Sequence, residues 1–323
     1  MAKENTAIGI EYDSHEIRAV QLSKDSEGNY HVVSFGKHPV SESVLNGGMV
    51  NEGSLFTSAL SELVSSSKIN VTSPAVIGIN NENVIMRYAA FPKVPDEKLK
   101  GVIMMQAQDF IPVPMSELGL DYVVIDESKD DDDQPVIDVL LVGARNVMIE
   151  NIISNFEKSK FEIHDIDSSF LAWCRAAIAH EAEDEVFGFL KLTDDVLNFV
   201  AVDHGDIKMV RSMNIPDRAS SEVKKAFNAP DDITDSQIEA VSDLLYSELI
   251  SSINYFQMQN STLINKVLFS AATPLEAKFL ESISEKAFVP VIVPDLYGEF
   301  KTDAFEPSYY AGCISLAKVL LEG

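Results

Sequence analysis

The sequence predicts an α/β protein made of two related half-domains, and two observations carry that expectation. A three-strand meander is built near the start and again, in the same order and with similar lengths, after residue 186. Each meander is followed by helical periodicity interleaved with short, continuous apolar runs that read as buried strands.

In the first meander, Ile8, Ile10 and Tyr12 alternate on one strand, Asp13-Ser14-His15 turns the chain, and residues 16–22 return antiparallel through Ile17, Ala19 and Leu22. A second turn at residues 25–29 leads into a strand over 30–35. The later copy runs through residues 187–192, the turn Thr193-Asp194-Asp195, residues 196–202, the turn Asp203-His204-Gly205-Asp206 and residues 207–215. Hairpins are common, so a chance likeness is the competing reading of the repeat.

Between the meanders, residues 52–65 place Leu55, Leu60, Leu63 and Val64 at helical spacing, with Ser54 as a cap. Residues 74–79 form a buried strand, and Asn80-Asn81-Glu82-Asn83 turns it into a strand over 84–91. Pro95-Asp96 opens a helix whose Leu99, Val102, Ile103, Ala107 and Phe110 share a face, and Pro112 and Pro114 stop it. Strands over 120–126 and 135–144 flank the acidic run at residues 130–133. A solvated hairpin tip explains that run better than a calcium loop, whose alternating carboxylates and glycine are missing. A helix over 146–158 and a strand over 161–167 follow, and Ser168 caps a helix running to 180. An acidic link, 181–185, joins the halves. After the second meander come helices over 218–227 and 236–259, a strand over 265–269, a helix over 275–286, a strand over 289–293 and a terminal helix over 308–321.

Composition limits what such a chain can do. The 323 residues fit two domains of about 150, each large enough for a core. With 46% apolar and 24% charged residues the chain is a folded one. A net charge of −26 argues against a broad basic face for nucleic acid or an anionic membrane, and favours protein segments, basic ones included, as partners. Cys174 and Cys313 lie in apolar, helix-like contexts without metal-ligand spacing, as buried thiols of a reducing compartment do. The start of the chain has no apolar leader and no apolar run reaches a membrane-spanning length, so the expectation is a cytoplasmic, unanchored protein. The six histidines never pair at helical spacing, which argues against zinc. No nucleophile elbow, P-loop or dinucleotide fingerprint occurs. Asp165 and Asp167 alternate near a strand end, where facing solvent or capping the next helix is the simpler role than acid–base work.

Several stretches, taken in order, resemble one family. They are Ile8-Gly9-Ile10-Glu11, residues 17–23, Phe91-Pro92-Lys93-Val94-Pro95, residues 106–112, Leu120-Asp121-Tyr122, residues 139–145, Ile166-Asp167 and residues 311–317. The chain resembles the PilM-like type IV pilus assembly proteins of the actin-like ATPase superfamily, relatives of FtsA. The resemblance implies actin-like (ribonuclease H-like) duplicated domains, mixed sheets flanked by helices, with an inserted small α+β subdomain. The first domain would span 1–180 with its insertion at about 91–145. The second would span 186–323, with a helical insertion at about 216–262 and the closing helix over 308–321.

In that superfamily two Gly- and Ser/Thr-bearing turns hold the ATP phosphates, because backbone amides reach oxygens only where no side chain intrudes. The resemblance places Glu11, Asp13 and Ser14 at the first turn, Thr193 and Asp194 at the second, and Ala271 and Ala272 at the adenosine loop. All three loops depart from the family pattern. Asp13 replaces a glycine, the second turn lacks its aspartate and glycine, and Ser270-Ala271-Ala272 stands where a glycine pair is expected. Glu11, Asp13, Asp194 and Asp195 would then face a triphosphate, and one like-charge contact at about 4 Å costs roughly 4 kcal/mol at an effective dielectric near 20. The expectation is a nucleotide-free scaffold with no cofactor and no catalytic residue. The alternative is that ATP with Mg2+ still binds.

The inserted subdomain resembles the part of PilM-like proteins that, with the first domain, holds the N-terminal cytoplasmic tail of the membrane protein PilN. The expected partner-binding residues are Val102, Met105, Phe110 and Ile111, with Met104 as adaptable lining; the other reading puts these side chains in the subdomain's own core. The pilus motor ATPase and platform protein are further expected partners. Competing functions are an ATP-dependent actin-like switch or filament, and a sugar or acetate kinase, which needs an intact phosphate cradle.

Overall fold

In a computed structural model, which describes residues 5–129 and 132–322, both meanders form and each seeds a five-stranded sheet. The tip of the acidic run, residues 130 and 131, lies outside the described residues.

The first half opens with β1 (Asn5–Tyr12), β2 (Glu16–Lys24) and β3 (Tyr30–Pro39), then a short β4 (Leu45–Asn46) and β5 (Met49–Val50) pair, α1 (Gly53–Ser67) and β6 (Pro74–Ile79). The insertion contributes β7 (Val84–Pro92), α2 (Asp96–Gln106), β8 (Leu118–Lys129) and β9 (Pro135–Arg145). Then α3 (Asn146–Lys158), β10 (Glu162–Ser168) and α4 (Ser169–His180) close the half. The second half runs β11 (Val186–Leu192), β12 (Val196–Asp203), β13 (Asp206–Asn214), α5 (Asp217–Asn228), α6 (Asp235–Asn260), β14 (Lys266–Ala271), α7 (Glu276–Lys286), β15 (Val291–Ile292) and α8 (Ala311–Glu322).

The two sheets share one topology. In order β10-β6-β1-β2-β3, the meander is antiparallel and β6 and β10 add in parallel; in order β13-β12-β11-β14-β15 the same pattern recurs. A chance likeness of hairpins does not extend to two crossover strands on the same side, so the repeat is a repeat of the whole sheet. The small sheet, β7-β9-β8, is antiparallel throughout and starts at Val84 rather than near residue 91, because β7 pairs with β9 along its full length.

Helices α4 and α8 lie between the two large sheets. Their Phe170, Trp173, Ile314 and Ala317 share a core with Val20 and Leu22 of the first sheet and Phe187, Phe189 and Val200 of the second. The close approach depends on Gly9, where a Cβ would overlap the backbone carbonyl of Cys313. On the outer faces, α1 and α3 cover the first sheet and α5, α6 and α7 the second. The apolar stripe Ile238, Val241, Leu245, Leu249, Ile253 and Phe256 keeps one side of α6 buried, and Thr234 with Gln237 closes its start as a capping box.

Ser168 caps α4 by accepting from the Leu171 amide at 3.3 Å. Ser54 does not cap α1, which begins at Gly53 after Glu52 with no side-chain cap. β15 shortens to Val291–Ile292: Pro290 gives its carbonyl to the Val267 amide at 2.8 Å but has no N–H to return.

Candidate functional site

The turns that close β1–β2 and β11–β12 meet where the two halves face each other. In the first, the Asp13 carboxylate accepts from the amides of His15 (3.1 Å) and Glu16 (3.0 Å), a local turn closure that fixes its direction. Arg18 Nη2 lies 3.2 Å and His15 Nδ1 2.6 Å from the same carboxylate. Burial pushes Asp13 up, but the charges of His15 and Arg18 outweigh it and hold the carboxyl down at about 2. Arg18 also reaches Glu16 at 2.9 Å and lies over the Tyr309 ring.

In the second turn, Asp194 is buried and accepts from the Ser14 hydroxyl. Burial, then Asp13 and Asp195, drive its carboxyl well above the ordinary range. Asp195, mainly through burial, is pushed up to about 6. Thr193 serves its own turn, donating to Asp195 Oδ1 and the Val196 carbonyl and accepting from the Val196 amide. Beside the turns, Asn80 Nδ2 donates across the halves to Asn198 Oδ1 at 2.9 Å, both buried, and Lys224 of α5 pairs with Glu42 at 3.3 Å.

Asp13, Ser14, Asp194, Asp195, Asn80 and Asn81 therefore line one cavity, of about 20 Å³. That is room for about one water, and a triphosphate does not fit between the turns as they stand. Among the described residues no three His, Cys, Asp or Glu side chains are grouped to hold a metal ion.

Glu11 is not part of this cavity, against the expectation. Its carboxylate lies on the opposite side of β1, sealed under α4 and α8, where it accepts from the Ser169 hydroxyl and from Trp173 Nε1 at 2.8 Å, with Cys313 Sγ at 3.5 Å. Close by, Lys191 places its ammonium 3.8 Å from the Trp173 ring centre and 3.4 Å from Ser270 Oγ. Burial, reinforced by Arg18, lowers that lysine to about 8. Sequence reasoning missed Lys191 and Trp173. The signal was there: a lysine inside the apolar run Phe189-Leu190-Lys191-Leu192 needs a buried partner.

Ala271 and Ala272 line a separate cavity of about 400 Å³ with Trp173, Thr273, Glu276 and Tyr309. The Ala271 amide is already taken by Glu276 Oε2 at 2.6 Å. A third, larger groove of about 980 Å³ runs between the small sheet and β13, with Arg87, Tyr88, Lys208, Arg211 and Tyr255 on its walls, none of them a sequence candidate.

The partner candidates divide. Met105 is 64% and Phe110 39% exposed, and Val102 is half-buried. Ile111 is instead in the small sheet's core with Phe91, Leu99, Ile103 and Ala107, so it has no open face. That is a correction: the chain turns through residues 107–109 in a 3-10 helix, which sends Phe110 outward onto the edge of Phe91 and Ile111 inward. Met104 is exposed as well, as are Val123 and Val124 on β8, an edge strand of that sheet.

Paired sheets of identical topology, with their first turns meeting and helices α4 and α8 between them, define an actin-like protein. Solved structures of similar fold include a chain of the PilM-PilN type IV pilus biogenesis complex, at TM-score 0.81 and 18% identity over 98% of this chain and 99% of that one. Others are the ethanolamine utilization protein EutJ from Carboxydothermus hydrogenoformans (TM-score 0.50, 13% identity, 97% and 89% covered) and a diol dehydratase-reactivating factor in nucleotide-free form (0.50, 8%, 99% and 100%). The chain belongs to the family of the type IV pilus assembly protein PilM, whose sequence model matches residues 9–304. Among the described residues no helix is long and apolar enough to cross a membrane.

Proposed function

We propose that this protein is a nucleotide-free scaffold of a type IV pilus assembly machine, held at the inner face of the cytoplasmic membrane by gripping the N-terminal cytoplasmic tail of a PilN-like protein. The observation that carries the reading is the small sheet's exposed apolar surface. Met104 and Met105 stand open on α2 and Phe110 just beyond it, and β8 offers an edge bearing Val123 and Val124. Edge strands with open apolar neighbours accept extended peptides, the main chain giving affinity and the side-chain pockets selectivity. The pilus motor ATPase and platform protein fit as further partners, and a net charge of −26 favours basic segments of such proteins over nucleic acid.

The 20 Å³ between the turns supports a scaffold that works without ATP. The 400 Å³ cavity beside Ala271 and Ala272 favours the second reading, an actin-like switch that opens to admit nucleotide. Calorimetric titration with a synthetic peptide of the PilN-like tail, with and without Mg-ATP, separates the two. The scaffold reading expects the same tail affinity in both and no heat from Mg-ATP alone. A micromolar Mg-ATP constant overturns the nucleotide-free state, and absence of tail binding overturns the scaffold.

A further inference from the structure

What joins the two turns is acid against hydroxyl. Ser14 donates to Asp194, and Asp195 receives the Thr193 hydroxyl at 3.0 Å and the Glu82 amide at 3.4 Å. The charged groups facing this acid pair come from three elements. The first turn presents Asp13, already held by His15 and Arg18; the β6–β7 turn presents Glu82; and α5 presents Lys224, which Glu42 shares. Among the described residues Lys224, shared with Glu42, faces Asp13, Glu82 and the pair itself, while His15 and Arg18 are taken up by Asp13. A cavity of about 20 Å³ has no room for a hydrated counter-ion. Charge on the pair is relieved by a proton or by separating the turns.

We propose that the Ser14–Asp194 contact is a proton-operated latch between the two halves, closed while the Asp194–Asp195 pair holds a proton and released when the pair loses it.

The direction follows from linkage. Opened to water, both carboxyls return to the ordinary range near 3.8; closed, burial lifts Asp194 well above it and Asp195 to about 6. The closed form therefore binds protons more tightly, is favoured as pH falls, and loses that advantage as pH rises, Asp195's share through about 6 and Asp194's as that carboxyl ionises in turn. For Asp195 alone, a rise from 3.8 to about 6 changes the closed-to-open ratio about a hundredfold. A neutral Asp194 keeps its bond to Ser14, since a carboxylic acid both donates and accepts. Asp13, held at about 2, stays ionised over the same interval and supplies the repulsion.

The latch lies away from α2 and β8, and its test needs no partner. Donor and acceptor dyes on Ser43→Cys and Ser221→Cys, exposed residues either side of the Glu42–Lys224 pair, report the approach of the halves; Cys174 and Cys313 are buried and escape labelling. Transfer efficiency should be high at about pH 5 and fall as pH rises past about 6, and the Asp194→Asn/Asp195→Asn variant should stay high to about pH 8. A flat profile in the parent, or an unchanged fall in the double variant, overturns the latch. Should that variant fail to fold, Ser14→Ala decides: reduced efficiency at about pH 5 supports the latch, and the parent's efficiency overturns it.

Discussion

Glu11 and Lys191 occupy the same place in the two repeats, the penultimate residue of β1 and of β11, and bring opposite charges to one indole. Trp173 donates Nε1 to Glu11 at 2.8 Å and takes the Lys191 ammonium 3.8 Å from its ring centre. The duplicated fold has thus turned two equivalent positions into a buried polar junction between its halves.

Lys191 makes that junction responsive to alkali. Its burial-lowered value of about 8 lies below the ordinary 10.5, so the unfolded chain binds more protons between these values and stability attributable to Lys191 rises with pH there. The gain is on the order of 3 kcal/mol, from about 1.4 kcal/mol per unit. Urea unfolding of the parent and of Lys191→Met at about pH 7.5 and about pH 10 isolates it, because the tyrosine and thiol contributions cancel in the difference. Parallel pH dependence in the two proteins would show that Lys191 is not desolvated.

Glu11 is expected to matter more for what it satisfies than for its charge. In Glu11→Ala the Trp173 N–H and the Ser169 hydroxyl lose their acceptor in a buried site, a loss of about 2–4 kcal/mol, while Glu11→Gln keeps an acceptor and loses roughly half as much. Trp173 is the chain's single tryptophan, so its fluorescence follows the unfolding directly. Equal loss in both variants would assign the role to the charge.

How legible these features are in the sequence depends on how local their causes are. The meanders, the α6 stripe and the Ser168 cap follow from period-2 and period-3.6 patterns and from turn chemistry, all contained within a few residues. Glu11 is also in plain view between Ile10 and Tyr12, and alternation puts it on the opposite face, but that this face is sealed is the work of α8, which joins β1 from the other end of the chain. The Ser14–Asp194 contact between the halves and the inward turn of Ile111 are likewise tertiary outcomes, and neither leaves a periodicity to read.

Gly9 should be intolerant of even one methyl group. The Cβ of Gly9→Ala would meet the Cys313 carbonyl, a backbone atom of α8 that no rotamer change can clear, so α8 must shift off the sheet. The expected loss is about 2–3 kcal/mol, read as a lowered urea midpoint with an unchanged slope. Gly205→Ala is the control: its φ of +81° strains an alanine, yet nothing stands near its Cβ, so the loss should stay near 1 kcal/mol.

The last prediction separates the small sheet's core from its open face. Ile111→Ala removes a side chain packed with Phe91, Leu99 and Ile103, and should cost about 2–4 kcal/mol. Met105→Glu sits on a side chain 64% exposed and should change stability by less than about 0.5 kcal/mol. If the open face grips the tail, Met105→Glu weakens tail-peptide binding at least about tenfold, since a carboxylate must be desolvated to enter an apolar contact. Ile111→Ala, assayed well below its own unfolding midpoint, should bind within about threefold of the parent, because its effect is on folding and not on the contact surface. Calorimetry of both variants against the same peptide checks this, and tail binding lost in Ile111→Ala but kept in Met105→Glu would move the contact surface away from α2.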